Sequence, residues 1–279
     1  PPVSSAAGHT FTGSALPRTP TGSTVAHTIA GSSHPVPGSC AYTAAGSHAA
    51  HTASGDHHRK HPKQEAPKEP RRMPPPIPPP SPSSGGLDIC FVMDCTGSMK
   101  PWIDAAKATI QEMIRALDER QKRVAFVAYR DFANGLPEAF DFTSDINTII
   151  GFINKQRATG GADFPEDVAG GLHAALGLSW AAETRSVVLV ADAPCHGKKY
   201  ATNHHHDDFP EGDPTGLSMT ALLQAFRSSY IDFTFVQLTS ETDRMQALLR
   251  ESYERTPGCD NIRKYELRDL RQIIEEAGG

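Results

Sequence analysis

The chain has 279 residues and a formal net charge of −5, unevenly distributed. Residues 1–86 hold 16 of the 23 prolines and 8 of the 13 histidines, with only Phe11 and Tyr42 as aromatics, and they sum to +4, so the remaining 193 residues carry −9. An acidic body behind a mildly basic tail argues against nucleic-acid binding, which needs a basic face, and no apolar stretch is long enough for a membrane span.

The tail cannot bury enough apolar surface to offset its ordering entropy and reads as disordered. Its basic run, Arg59 to Arg72, reads as a solvated linker. The run Pro74-Pro75-Pro76-Ile77-Pro78-Pro79-Pro80 favours an extended polyproline helix, either a stiff spacer or a ligand for a proline-recognising module. Ser83-Ser84-Gly85-Gly86 then marks the boundary, leaving 87–279 as one domain with a full core. Five cysteines, odd in number and without a close-spaced framework, point to a reducing, cytoplasmic compartment.

Leu87–Met93 is a short apolar run, as expected of a strand buried on both faces. Pro101 opens a helix with Ile103, Ala106, Ile110, Met113 and Leu117 on one face. Val124–Tyr129 and Phe140–Phe142 read as strands, and Asp145 caps a helix holding Ile146, Ile149, Ile150 and Ile153. Pro165-Glu166-Asp167 reads as the acidic first turn of a helix through Val168, Leu172, Ala175 and Leu176. Ser186–Ala191 is the most strand-like segment, followed by a long polar loop. A helix over Ser218–Phe226, a strand Ile231–Leu238, a helix over Asp243–Tyr253 and a short strand near Tyr265–Leu267 complete the series. The closing helix, Arg268 to Ala277, is expected to be cut short. Strand and helix alternate, which predicts an α/β fold: an open, mostly parallel, Rossmann-like sheet with helices on both faces.

In such sheets, sites form beyond the carboxyl ends of the strands. Three segments bring oxygen to that edge: Asp94-x-Thr96-x-Ser98, Thr159-Gly160-Gly161-Ala162-Asp163, and Asp192 after the Ser186–Ala191 strand. Oxygen-only side chains in this spacing suit a hard divalent cation, which takes about six oxygens and commonly retains water.

These motifs, with Pro165-Glu166 following the glycine loop, resemble the metal-ion-dependent adhesion site of a von Willebrand factor A domain over about residues 86–275. The resemblance implies Mg2+, or Mn2+ or Ca2+, held by Asp94, Thr96 and Ser98, with Asp163 and Asp192 acting directly or through water. It further implies a protein partner that completes the shell with an aspartate or glutamate, and a binding module rather than an enzyme. Thr96 stands where the family has serine, and Asp163 where it has threonine, with Thr159 as the fallback ligand. Ala128-Tyr129-Arg130-Asp131-Phe132, Ala191-Asp192-Ala193-Pro194-Cys195-His196-Gly197 and Phe209-Pro210-Glu211-Gly212-Asp213-Pro214 resemble the A-type domains found beside alpha-type kinase domains. Any kinase activity would lie in a domain outside this chain.

Two other readings stay open. Asp94-Cys95-Thr96-Gly97 resembles the nucleophile motif of haloacid-dehalogenase-type phosphotransferases, with Lys198-Lys199 and Asp207-Asp208 as candidate partners. A metal-free structural scaffold is the other. The His204-His205-His206 run near His196 favours transition metals by ligand type, although adjacent side chains point apart. Cys95 and Cys195 fall on loops at the same edge, with free thiols expected.

Overall fold

A computed structural model describes residues 64–65, 67, 69–80, 85–117, 122–201, 206–254 and 263–266, all within the unit Arg59–Gly279. The elements run β1 (Leu87–Asp94), α1 (Ile103–Ala116), β2 (Lys122–Tyr129), β3 (Glu138–Thr143), α2 (Ile146–Lys155) and α3 (Val168–Leu176). They continue β4 (Thr184–Ala191), α4 (Met219–Ser228), β5 (Asp232–Gln237), α5 (Asp243–Glu254) and β6 (Arg263–Glu266).

The six strands form one sheet in the order β3-β2-β1-β4-β5-β6, with all pairs parallel except β2–β3. The strand order reverses between β1 and β4, which pair from Leu87↔Thr184 to Met93↔Val190. A crevice at this reversal is where open α/β sheets place ligands.

Strand alternation divides β1 between two cores. Ile89, Phe91 and Met93 pack on one side with Ile103, Ile110, Met113, Ile149 and Ile153 from α1 and α2. Cys90 and Val92 pack on the other with Leu172, Leu222, Phe226 and Leu249 from α3, α4 and α5. A strand covered on both faces needs the continuous apolar run seen in the sequence. At the far end of β1, Lys122 is buried and donates to the carbonyls of Ile114 (2.6 Å) and Leu117, a cation at the carboxyl end of α1.

Some boundaries differ from the sequence reading. The α1 helix starts at Ile103, because Pro101 and Trp102 belong to the turn that follows a short 3-10 segment, Gly97–Met99. Glu166 and Asp167 precede α3 rather than forming its first turn. Asp167 caps that helix, accepting from the Gly170 amide at 2.8 Å, while Glu166 N donates to Pro194 O at 2.9 Å. β6 lies slightly before the expected Tyr265–Leu267, and the expected closing helix falls outside the described residues.

The stretch before Leu87, expected to be tail and linker, is docked on the domain from Gln64 onward at its described residues. Arg71–Pro80 forms neither helix nor strand, in keeping with an extended polyproline segment. Composition could not reveal the docking, because polar contacts carry most of it: Gln64, Arg71 and two backbone carbonyls find partners on the domain.

The two-sided core makes a direct prediction. Leu172→Ala, at a fully buried α3 position, should cost about 2–5 kcal/mol by urea denaturation. Leu136→Ala, 77% exposed, should stay within about 0.5 kcal/mol of wild type.

Candidate metal centre

Asp94 ends β1 and is fully buried. Its Oδ1 accepts from the Thr96 amide at 2.8 Å and the Thr96 hydroxyl at 2.7 Å, and Thr96 Oγ1 lies 3.0 Å from Ser98 Oγ. The turn is fixed by backbone: Cys95 N donates to Tyr129 O (2.9 Å), Thr159 N to Cys95 O (3.0 Å), and Gly97 N to Gly160 O (3.0 Å). Gly160 and Gly161 have φ of 85° and 84°, a region that favours glycine. A Cβ on Gly161 would stand 2.9 Å from Glu166 Oε1, so the loop passes directly against that carboxylate.

Asp192 follows β4, the neighbour of β1 at the reversal of strand order, and is buried. Three carboxylate oxygens here are buried without a hydrogen-bond partner: Asp94 Oδ2, Asp192 Oδ1 and Glu166 Oε2. Burial, and then the Asp192 charge, push the Asp94 carboxyl up to about 7, against the opposing hydrogen bonds from Thr96. Burial, followed by Asp94 and Asp131, pushes Glu166 well above the ordinary range. Asp192 rises through burial, with the Ser98 hydroxyl opposing. Buried carboxylate oxygens without a donor are costly unless something binds them.

The structure therefore brings Asp94, Thr96, Ser98 and Asp192 to one edge and adds Glu166. Asp163 belongs to a neighbouring network instead. Its Oδ1 accepts from Gln64 Nε2 at 2.8 Å and its Oδ2 from the Asp208 amide at 2.5 Å, and burial raises its carboxyl to about 6. Thr159 is exposed, with its amide and carbonyl engaged by Cys95 and Arg130.

The centre of that second network is His196, a residue the sequence reading had not assigned. Its Nε2 meets Asp131 Oδ1 at 3.0 Å and its Nδ1 meets Asp207 Oδ1 at 2.9 Å, while Phe132 stacks on the ring at 5.1 Å. Burial lowers its pKa, but hydrogen bonds to Asp131 and Asp207 outweigh this and carry it up to about 9. Asp131, Asp163 and His196, and likewise Asp163, His206 and Asp208, place ligand atoms within 4.8 Å of one another. With both nitrogens of His196 on carboxylates, the first group acts as an ion-paired cluster. His204 and His205 lie outside the described residues, and His206 is exposed.

The residues offered for phosphoryl transfer are engaged elsewhere. Lys198 pairs with Glu211 on the surface, Lys199 lies over Tyr200, and Asp207 is held by His196, Gly197 and Phe209. Cys90, Cys95 and Cys195 are free and buried.

The sheet is doubly wound and sets oxygen-bearing side chains beside its switch point. Residues 88–205 match the sequence model of the von Willebrand factor A domain, a fold that serves commonly as a metal-dependent protein-interaction module. Over 167 residues the chain is 36% identical to Alpha-protein kinase vwkA of Dictyostelium discoideum, covering 57% of this chain and 26% of that protein. It is also 30% identical over 122 residues to a protein of Acanthamoeba polyphaga mimivirus named as an ariadne-like RING finger protein, covering 42% of this chain and 12% of that one. The chain thus spans about a quarter or less of the length of these relatives. Among solved structures, proximal thread matrix protein 1 from the mussel byssus aligns with a TM-score of 0.46 at 16% identity, covering 69% of this chain and 45% of that one. No helix among the described residues is long and apolar enough to cross a membrane.

The His196 network has a definite pH signature. Its folded-state pKa of about 9 exceeds the ordinary 6.5, so its stabilisation is full below pH 6.5 and is lost as pH rises through 9. Melts of wild type and His196→Gln between pH 6 and 9.5 should show the stability gap shrinking with pH, by on the order of 3 kcal/mol. A gap that widened would contradict the ion-paired cluster.

Proposed function

We propose that the domain is a divalent-cation-dependent protein-binding module without catalytic activity of its own. The observation that carries this reading is the group of unpartnered buried oxygens on Asp94, Asp192 and Glu166 around the Thr96 and Ser98 hydroxyls. Such a donor set fits a hard cation: it is all oxygen, net negative and held on three separate backbone segments.

In this reading Asp94, Thr96, Ser98 and Asp192 would hold Mg2+, with Mn2+ or Ca2+ as alternatives. Asp163, whose two oxygens are already engaged, would act at one remove through solvent. The bound ion would supply positive charge left uncompensated by the site, to which an aspartate or glutamate of a partner protein is the matching ligand. The chain's own contribution is orientation. The Thr96 amide fixes Asp94, the Gly97–Gly160 bond fixes the turn, and the glycine loop admits Glu166 against Thr96. The likeness to the Dictyostelium kinase supports a place in a larger, kinase-associated protein. Free, buried thiols at Cys90, Cys95 and Cys195 support a cytoplasmic setting.

Titration with Mg2+ to a hundredfold excess over its Kd should raise the wild-type Tm by roughly 5–10 °C. Asp94→Ala should keep a cooperative melt and lose that rise. Asp94→Asn, which removes one of the crowded charges, should melt above wild type in EDTA. If Mg2+ shifts the Asp94→Ala melt as it does wild type, the metal reading fails. If it shifts neither, the domain is a metal-free scaffold. A phosphate adduct on Asp94 in mass spectrometry would instead favour phosphoryl transfer.

A further inference from the structure

The docked segment before β1 has a regular burial pattern. From Arg71 to Pro80, the half-buried positions are 71, 74, 77 and 80, while the two residues after each of the first three are exposed. A repeat of three is that of a polyproline II helix lying with one edge on a surface. Such a helix makes no internal hydrogen bonds, and its prolines have no amide to offer, so only its carbonyls and side chains need partners.

The domain supplies those partners along its length. At one end, Gln64 is almost completely enclosed: Nε2 donates to Asp131 Oδ2 and Asp163 Oδ1, Oε1 accepts from Ala133 N, and its own amide donates to Asp208 Oδ2 at 2.8 Å. Every hydrogen-bonding group of that side chain is used. Next, the Arg71 guanidinium pairs with buried Asp167 at 2.7 Å and lies 5.5 Å from the centre of the Phe132 ring, while its amide donates to Thr215 O. His173 Nε2 donates to the Arg72 carbonyl at 2.7 Å, Ile77 packs against the core on the α3–α4 side, and Arg185 donates to the Pro78 carbonyl at 2.9 Å. Arg185 stands at the start of β4, so the segment runs from the carboxyl edge of the sheet to its amino edge.

We propose that this face is a peptide-binding groove for an extended, proline-rich segment bearing glutamine, arginine and isoleucine at the spacing of Gln64, Arg71 and Ile77, with residues 64–80 as its ligand in cis. The groove has separate receptors for each feature: an acidic pocket for an uncharged amide, a carboxylate with an aromatic wall for a guanidinium, an apolar seat, and donors for carbonyls. The linker is then a ligand of its own domain. Displacing it would open the groove to a proline-rich segment of the same chemistry from another chain. This inference does not depend on the metal reading, and its test is run in EDTA.

The test uses the full chain and a fluorescent peptide of residues 64–80. Arg71→Glu sets a carboxylate against Asp167 and should release the segment, so trypsin should cut after Arg72 at least tenfold faster than in wild type. The labelled peptide, followed by anisotropy, should bind the Arg71→Glu chain at least tenfold more tightly than wild type, whose own segment competes. A scrambled peptide, or one carrying the same Arg71→Glu change, should bind neither. The double variant Gln64→Ala/Ile77→Ser provides the same comparison if Arg71→Glu fails to melt cooperatively, because it alters only the ligand segment. No binding to either variant, or equal binding of the scrambled peptide, would overturn the proposal.

Discussion

Negative charge confined at the end of a parallel sheet is the constraint around which this domain is arranged. Asp94, Asp192 and Glu166 come from three different segments and gather about the Asp94 turn, each with a buried oxygen left without a hydrogen-bond partner. They cannot retreat from one another. The Asp94 turn is tied to β2 through Tyr129 and to the glycine loop through Gly160, and Asp192 leaves β4 in register with β1. Burial raises the proton affinity of all three, and neighbouring carboxylate charge adds to it at Asp94 and Glu166, which is the usual response of buried acids held in a rigid frame.

A few residues away, the same sheet edge handles a similar load differently. Asp131, Asp163, Asp207 and Asp208 surround His196 and Gln64, and the imidazolium and the amide between them satisfy most of the available oxygens. In one cluster the chain itself supplies donors to most of the carboxylate oxygens, and in the other Asp94, Asp192 and Glu166 each keep an oxygen without one. The glycine loop lies between them: Gly160 and Gly161 face the Asp94 turn and Glu166, and Asp163, two residues on, faces His196. A single loop therefore touches both charge systems, and a shift in one has a short mechanical route to the other.

Much of this was legible in the sequence, for identifiable reasons. The apolar run of β1 and the regular strand–helix alternation specify a sheet covered on both faces, and Asp94 and Asp192 are placed at its edge simply by ending strands. The choice between Asp163 and Glu166 was not legible. Both are acids on one short loop, and which of them turns toward Thr96 depends on two consecutive positive-φ glycines whose combined direction no spacing rule gives. His196 and Asp131 looked ordinary because each acquires its role from the other, across 65 residues. The docking of residues 64–80 was hidden by composition, which counts apolar side chains. It misses a segment held by an amide, a guanidinium and two carbonyls. The recurrence of half-buried Arg71, Pro74, Ile77 and Pro80 at every third position appears only in the structure, because prolines fill the exposed positions between 74 and 80 as well.

That recurrence limits how the linker can change in length. Proline runs gain and lose residues readily, and in a free spacer such changes would be silent. Here each added or deleted residue between Arg71 and Ile77 would rotate the downstream segment by about 120° and translate it by about 3 Å. Ile77 would then turn toward solvent and the Pro78 carbonyl away from Arg185. Only changes of three residues would restore the facing, and even these would shift the register by about 9 Å. A stretch that reads as low-complexity filler is thus held to a fixed count, as a strand in a sheet would be.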